Sequence, residues 1–203
     1  MSEHTSSWYA ASLPDGLDEA RPPLGGDLAC DVCIVGAGFT GVSAAYHLSK
    51  AGQRVVVLDT ERDGWGASGR NGGQLHPGFR QDLEWFTNTI GEEVAEKVKT
   101  VGDAALAHID GLITDLNLPC DRTHGLVTAC RSQRALDEEG KYDAFAQERY
   151  GAQPLEFLDK AQTEEALGTG GHVGAVRDPS GGHIHPLAFV TSLAKHAEQQ
   201  GAV

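Results

Sequence analysis

The sequence predicts an α/β fold built around a Rossmann-like βαβ unit. Three observations predict it: an apolar run at Val32–Val35, a glycine-rich stretch at Gly36–Gly41, and a second apolar run at 54–59. Between the glycines and the second run, Val42–Lys50 is rich in helix formers, and Gly52 stands where a helix ends. Both apolar runs are continuous, which is typical of parallel strands buried on both faces. Such a unit is parallel and right-handed.

The remainder of the chain alternates between helical and extended patterns. Apolar residues recur every three or four positions from Val94 to Leu116, which predicts an amphipathic helix. Pro186 suits the first turn of a last helix. The other predicted elements are strands at 124–131 and 154–158, helices near 133–150 and 162–167, and extended segments at 172–177 and 182–185.

Both ends of the sequence differ from this regular pattern. Residues 1–29 form an irregular lead-in segment that is interrupted by prolines and glycines, and its Trp8 and Tyr9 indicate that part of it packs on the body of the protein. The last residues, Gln-Gln-Gly-Ala-Val, indicate the start of another strand. Because a doubly wound sheet needs a third parallel strand, we expect a chain that is truncated at its C-terminus.

Composition excludes several classes of function. The chain has 203 residues, 40% hydrophobic and 22% charged, and a formal net charge of −13. This acidity disfavours binding to the phosphate backbone of a nucleic acid. The sequence has neither a run of apolar residues long enough to span a membrane nor the features of a signal peptide, so we expect a cytoplasmic protein.

No metal site is expected. Cys30 and Cys33 have C-x-x-C spacing but lie in an apparent strand, where residues three apart point to opposite faces. His183 and His185 would share one face of a strand, but Asp178 is the only further ligand at a suitable spacing.

The glycine-rich stretch has the G-x-G-x-x-G spacing of a dinucleotide-binding turn. Gly36 would form the tight turn, Gly38 would let the backbone approach a pyrophosphate, and Gly41 would let helix and strand pack closely. Asp59 ends the second strand, where a carboxylate can accept hydrogen bonds from ribose hydroxyls. An acid at this position favours NAD or FAD over NADP.

A second glycine-rich segment, Trp65–Gln74, favours FAD over NAD. It offers unhindered backbone N–H groups, a hydroxyl, two amides and a guanidinium, which could wrap the pyrophosphate and the edge of the isoalloxazine. An NAD-dependent dehydrogenase does not need such a loop after the acidic residue. A mobile glycine-rich loop without a binding role is the alternative.

These segments together resemble the N-terminal part of the D-amino-acid-oxidase-like FAD-dependent oxidoreductases. The gamma-glutamylputrescine oxidase group is the most similar, since its members share the aromatic lead-in Ser-Trp-Tyr-Ala-Ala and the later Gly-Gly-His-x-His-Pro. Members are roughly twice as long as this chain, so the resemblance covers their N-terminal half.

The resemblance implies a set of cofactor-binding residues, with Asp59 at the adenosine ribose although the family more often has Glu there. Some relatives tether FAD through a His in the second loop, but Arg70 stands at that place, so we expect non-covalent FAD; attachment at His76 is the alternative. The residues implied are Gly36, Gly38, Phe39, Thr40 and Gly41 at the pyrophosphate, Asp59 with the adjacent Thr60, and Ser68, Gly69, Arg70, Asn71, Gly72, Gly73 and Gln74 at the flavin.

The resemblance also implies a function, which is the oxidation of a small-molecule amine with O2 as acceptor. It assigns residues 30–79 and 170–203 to a FAD-binding domain and residues 80–169 to part of an α+β substrate domain. No catalytic residue is assigned. Two alternatives stay open: a truncated, catalytically inactive FAD-binding fragment, and an NAD-dependent dehydrogenase.

Overall fold

A computed structural model describes residues 3–203, so that the first two residues of the predicted lead-in segment lie outside the described residues. The chain forms two compact units. The first contains the chain up to Gly73, Gly111–Arg122 and Ile184–Val203, and the second contains Gln74–Asp110 and Thr123–His183. The elements are α1 (Trp8–Ala11), β1 (Val32–Val35), α2 (Phe39–Lys50), β2 (Val55–Leu58), a 3-10 turn (Ala67–Gly69), β3 (Gln74–Leu75), α3 (Leu83–Thr89), α4 (Glu92–Leu116), β4 (Thr123–Cys130), α5 (Gln133–Tyr150), β5 (Glu156–Leu158), α6 (Lys160–Leu167), β6 (Gly174–His183) and α7 (Pro186–Gln199).

The first unit contains the predicted βαβ unit. Strands β1 and β2 pair in parallel, from Val32 opposite Val55 to Val35 opposite Leu58, and α2 connects them. Helix α2 begins at Phe39, inside the glycine motif and earlier than the residue composition indicated, and it packs against α7. The predicted α/β fold class is confirmed.

The prediction that both strands are buried on both faces is wrong. Val55 and Val56 of β2 are buried, but Cys33 is exposed and Val35 of β1 is 86% exposed. The crossover helix of a βαβ unit lies on one face of the sheet, and burial of the other face requires a second layer. Strand β1 begins at Val32, so Cys30 precedes this strand rather than lying on it.

Val203 lies beside the free edge of β2. Its N–H donates to the carbonyl of Val55 at 3.0 Å, and its carbonyl accepts from the N–H of Val57 at 2.7 Å. These are the two hydrogen bonds of a parallel bridge. Strand β2 therefore has neighbours on both edges, β1 on one and Val203 on the other.

The second unit is built on an antiparallel sheet with the strand order β3-β6-β4, and β5 also pairs with β6. Helix α5 has the predicted bounds, because Ser132 caps its first turn and Gly151 ends it in the left-handed conformation. The predicted extended segments at 172–177 and 182–185 form one strand instead of two. The pairing of β4 with β6 continues past Pro179. The register of the two strands shifts between His124 and Leu126, and this shift accommodates the residues around Pro179.

Residues 3–29 are largely irregular, as predicted, apart from the short helix α1. The prediction that part of this segment packs on the body of the protein is confirmed, through Tyr9 and not through Trp8. The Tyr9 ring meets the His185 ring edge to face with 5.0 Å between centroids, whereas Trp8 is 77% exposed. Neighbouring residues of a helix point in different directions, so one face of α1 can pack while the other does not.

Helix α7 starts at Pro186 as predicted, and its N-cap is the buried His185. The Nδ1 atom accepts from the N–H of Ala188 at 3.0 Å, so the neutral ring carries its proton on Nε2, which donates to the Ser12 hydroxyl at 3.2 Å. Strand β6 ends at His183, so the two histidines do not share a strand face, contrary to the prediction.

We expect replacement of His185 to change the dependence of stability on pH. Burial lowers the pKa of His185 below its ordinary value of 6.5, so the unfolded chain takes up the proton first as the pH falls. The stability that the neutral His185 ring contributes is complete above the pKa of His185 in the unfolded chain, and it is lost as the pH falls toward the lower pKa of His185 in the folded protein. Denaturant unfolding should show a weaker loss of stability on acidification for His185→Asn, which keeps a capping oxygen but does not titrate.

His185→Ala serves as the control for the cap, and it should lower the free energy of unfolding at neutral pH by about 1 kcal/mol relative to His185→Asn. A His185→Asn protein with the same loss of stability on acidification as the unmodified protein would contradict the assignment of this titration to His185.

None of the helices formed by residues 3–203 is both long enough and apolar enough to cross a membrane.

Candidate functional site

The first glycine motif forms a tight turn between β1 and α2. Gly36 has a φ of 105°, a left-handed conformation that favours glycine, and its N–H donates to the carbonyl of Leu58 at 2.8 Å. A Cβ atom on Gly41 would lie 1.9 Å from the Gly36 carbonyl oxygen and 3.2 Å from Cγ2 of Ile34. The predicted roles of Gly36 in the turn and of Gly41 in helix–strand packing are confirmed.

Ser68 of the second glycine loop lies at the N-terminus of α2. Its hydroxyl oxygen accepts from the N–H of Phe39 at 2.9 Å. A Cβ atom on Gly38 would lie 2.8 Å from the same oxygen, so glycine at 38 leaves room for this contact. The N-cap residue of α2, Gly38, has no side chain to serve as a cap, and Ser68 takes that role from a distant part of the sequence.

Asp59 joins the end of β2 to the same turn. Its Oδ2 accepts from the N–H of Ala37 at 2.7 Å, and its Oδ1 accepts from the N–H of Glu61 at 2.9 Å. Ala37 also accepts, through its carbonyl, from the N–H of Gly64 at 2.9 Å. Ala37 thus connects the first glycine motif to the acidic residue and to the second loop. Thr60 follows Asp59 and is exposed.

The side chain of Asn71 holds the turn of its own loop. Its Nδ2 donates to the carbonyls of Ala67 at 3.1 Å and Ser68 at 2.9 Å, and its Oδ1 accepts from the N–H of Gly73 at 2.8 Å. Sequence reasoning gave Asn71 a place at the flavin. In the structure, its amide group shapes the loop backbone.

The glycines of the second loop allow close approach to the start of α7. A Cβ atom on Gly69 would lie 2.4 Å from the carbonyl oxygen of Gly64 and 2.7 Å from Cδ1 of Leu187. A Cβ atom on Gly73, whose φ is 70°, would lie 2.2 Å from the carbonyl oxygen of Ile184, while the Ile184 N–H donates to the Gly73 carbonyl at 2.9 Å. Close packing therefore gives this loop a defined conformation.

The remaining predicted residues occupy less enclosed positions. The Arg70 guanidinium lies over the Trp65 ring, 3.9 Å from its centroid, and Arg70 is exposed. Gly72 and Thr40 are also exposed. Gln74 begins β3 and belongs to the second unit, whereas all the other predicted cofactor-binding residues belong to the first.

The two glycine segments thus meet at the N-terminus of α2, and their groups are of the kinds that a dinucleotide requires. The first turn of α2 presents backbone N–H groups that have no acceptor within the helix, and it contains no acidic side chain. Asp59 provides acceptor oxygens for hydroxyl groups at the end of β2. Sequence reasoning did not anticipate that Ser68 joins the N-terminus of α2, since 29 residues separate it from Phe39.

Comparison with known families identifies the chain. The family described as "DAO: FAD dependent oxidoreductase" matches residues 31–203. The chain belongs to this family. The cofactor of the family is FAD, and this finding favours FAD over NAD as the dinucleotide for the site.

Curated relatives agree with the family. The chain is 39% identical to gamma-glutamylputrescine oxidoreductase of Escherichia coli K12, over 92% of this chain and 43% of that protein. It is 35% identical to the probable oxidoreductase OrdL of Haemophilus influenzae, over 95% of this chain and 44% of that protein. The chain spans less than half the length of these relatives.

Solved structures show the same fold. Glycine oxidase from Geobacillus kaustophilus superposes with a TM-score of 0.70 at 20% identity, over 86% of this chain and 45% of that chain. L-Amino acid deaminase from Proteus myxofaciens superposes with a TM-score of 0.68 at 22% identity, over 87% of this chain and 38% of that chain.

We expect Ser68→Ala to weaken FAD binding as well as stability. The substitution leaves the Phe39 N–H without its acceptor, and loss of a capping oxygen costs about 1 kcal/mol of folding stability. Ser132→Ala is the matched control, because the Ser132 hydroxyl accepts from the N–H of Ala135 at 3.2 Å at the start of α5 in the second unit. Both variants should lose thermal stability, but only Ser68→Ala should show weaker FAD binding in a fluorescence titration. Equal FAD affinity in the two variants would contradict the prediction.

Proposed function

We propose that the first unit binds FAD non-covalently across the two glycine segments. The single observation that supports this most strongly is the hydrogen bond from the Phe39 N–H to Ser68, which brings the second loop to the helix terminus that suits a pyrophosphate. In this proposal Gly36, Gly38 and Gly41 keep the turn open to the pyrophosphate and Thr40 offers its N–H as a donor. Phe39, whose N–H is held by Ser68, keeps the second loop beside the pyrophosphate.

The proposal places Asp59 and Thr60 on the adenosine side of the cofactor. Each Asp59 oxygen already accepts one backbone N–H, so the carboxylate is held in a fixed orientation and retains lone pairs for ribose hydroxyls. The segment on the flavin side comprises Ser68, Gly69, Arg70, Asn71, Gly72, Gly73 and Gln74. In that segment Asn71 contributes by shaping the backbone, and its neighbours contribute N–H groups.

We propose that FAD binding belongs to the first unit and that the second unit is part of a substrate domain. The proposed domain boundaries, 30–79 and 170–203 for the FAD side, differ from the compact units: the first unit ends at Gly73 and resumes at Ile184, and it also contains the lead-in segment and Gly111–Arg122. In the division into compact units, β3 and the rest of the antiparallel sheet belong to the second unit, which is the proposed substrate domain.

The proposed reaction is the oxidation of an amine. FAD held by these residues would supply the acceptor for a hydride from the carbon next to the substrate nitrogen; the amine would become an imine that water hydrolyses, and O2 would take up the two electrons as hydrogen peroxide. The residues of this chain hold and orient the cofactor for that step. The similarity to gamma-glutamylputrescine oxidoreductase supports an acylated polyamine as the substrate class.

The test begins with the visible absorption of the purified protein after FAD is added and free cofactor is removed by desalting. We expect the flavin spectrum to stay with the protein, while NAD is not retained. Peroxide release with gamma-glutamylputrescine should then exceed that with putrescine or with amino acids. A protein that retains no flavin contradicts the binding proposal. A protein that retains flavin but releases no peroxide with any amine contradicts the reaction proposal and corresponds to the inactive FAD-binding alternative.

A further inference from the structure

The segment from Glu3 to Arg21, here called the N-terminal segment, contacts the second glycine loop at Trp65 and the two residues Arg62 and Asp63 that lead into it. The indole N–H of Trp65 donates to the carbonyl of Glu3 at 3.1 Å. Arg62 donates to the Asp18 carboxylate and, at 3.2 Å, to the Asp18 carbonyl. All of these residues belong to the first unit.

Arg21 makes the most extensive of these contacts. Its Nε and Nη2 donate to Oδ2 of Asp63 at 3.0 and 2.9 Å, and its Nη1 lies 2.6 Å from Oε2 of Glu198 in α7. The Asp63 side chain is only 17% exposed, so Arg21 is the partner of a largely buried carboxylate. Burial opposes the charge of Arg21, but hydrogen bonds to Glu198 and Asp63 raise its pKa above the ordinary value.

Glycines of the same stretch pack closely on α7. Gly64 and Gly69 pack against Leu187 and Val190 of α7 at distances that leave no room for a Cβ atom. The loop therefore contacts both α7 and the N-terminal segment. The N-terminal segment is itself attached to the start of α7, because the Ser12 hydroxyl forms a hydrogen bond with His185.

We infer that the N-terminal segment positions the second glycine loop for FAD, with Arg21 as the principal positioning residue and Asp18 as the second. The inference rests on the proposed function for its link to FAD. Arg21 and Asp18 do not belong to either glycine motif; they act through Asp63 and Arg62. Loss of either contact would remove one of the attachments that fix the loop, so that Ser68 would be held less firmly at the start of α2.

The test compares Arg21→Gln, Arg21→Lys and a matched control, Arg149→Gln. Arg149 also donates from two nitrogens to one carboxylate, to Glu92 at 2.7 and 2.9 Å, but it lies in the second unit. The readouts are the Kd for FAD from flavin fluorescence and the hydrogen exchange of loop peptides covering residues 59–73 without FAD.

Arg21→Gln should weaken FAD binding by about five- to twentyfold, with Arg21→Lys between it and the unmodified protein, and with Arg149→Gln changed by less than about twofold. Exchange of the loop amides should accelerate about fivefold in Arg21→Gln alone. If Arg21→Gln fails to fold, Asp18→Asn removes the carboxylate that pairs with Arg62 and provides the same two readouts.

The inference is overturned if Arg21→Gln loses thermal stability while its FAD affinity and loop exchange equal those of Arg149→Gln. That result would make Arg21 a purely structural residue. If the unmodified protein does not bind FAD, the proposed function fails, and loop exchange without FAD still decides whether the segment positions the loop.

Discussion

Replacing Gly41 with alanine is expected to abolish FAD binding and to destabilise the first unit by about 3 kcal/mol or more. The added Cβ would lie 1.9 Å from the backbone carbonyl oxygen of Gly36, and neither backbone segment can yield without separating α2 from the turn. Such a separation would displace the helix terminus that we propose as the pyrophosphate site. Thermal unfolding and FAD titration measure the two effects.

Gly111→Ala is the matched control, since Gly111 also lies within a helix, α4, and a Cβ atom there meets nothing within 4 Å. This variant should be as stable as the unmodified protein or up to about 1 kcal/mol more stable, because alanine has the higher helix propensity. If Gly41→Ala and Gly111→Ala behaved alike, the close packing of turn and helix would be refuted.

Gly73→Ala should have the second largest effect. Gly73 has a φ of 70°, and a Cβ atom would lie 2.2 Å from the carbonyl oxygen of Ile184. The left-handed conformation costs about 1–2 kcal/mol for alanine, and the backbone contact adds the displacement of the loop from α7. We expect a loss of several kcal/mol in stability together with weaker FAD binding.

Gly78→Ala separates the left-handed conformation from the backbone contact as causes of the expected loss in Gly73→Ala. Gly78 has a φ of 89°, yet a Cβ atom there meets nothing within 4 Å. This variant therefore carries the conformational strain without the contact, and it should lose only about 1–2 kcal/mol with FAD affinity unchanged. Equal losses in Gly73→Ala and Gly78→Ala would show that the contact with Ile184 has no energetic role.

The sequence was sufficient for those parts of the fold that depend on local pattern. The two strands of the βαβ unit, the bounds of α5 and the start of α7 at Pro186 follow from apolar periodicity, capping residues and proline stereochemistry. The roles of Gly36 and Gly41 follow from the spacing of the motif. Each of these features depends on residues that are close together in the sequence.

Features that depend on contacts between distant residues were not predicted. The position of Ser68 at the start of α2, and the pairing of Arg21 with Asp63, join residues 29 and 42 positions apart. The exposure of Val35 depends on which elements cover the sheet, and an apolar strand residue alone does not reveal that. The single strand β6 depends on a register shift in its pairing with β4.

The most direct test of the central claim, that the two glycine segments form one FAD site, is hydrogen exchange of the protein with and without FAD. We expect FAD to protect peptides covering 36–41 and 64–73 together, with the same dependence on FAD concentration, and to leave peptides from 133–150 of the second unit unchanged. Protection of one glycine segment without the other, or protection confined to the second unit, would contradict the account.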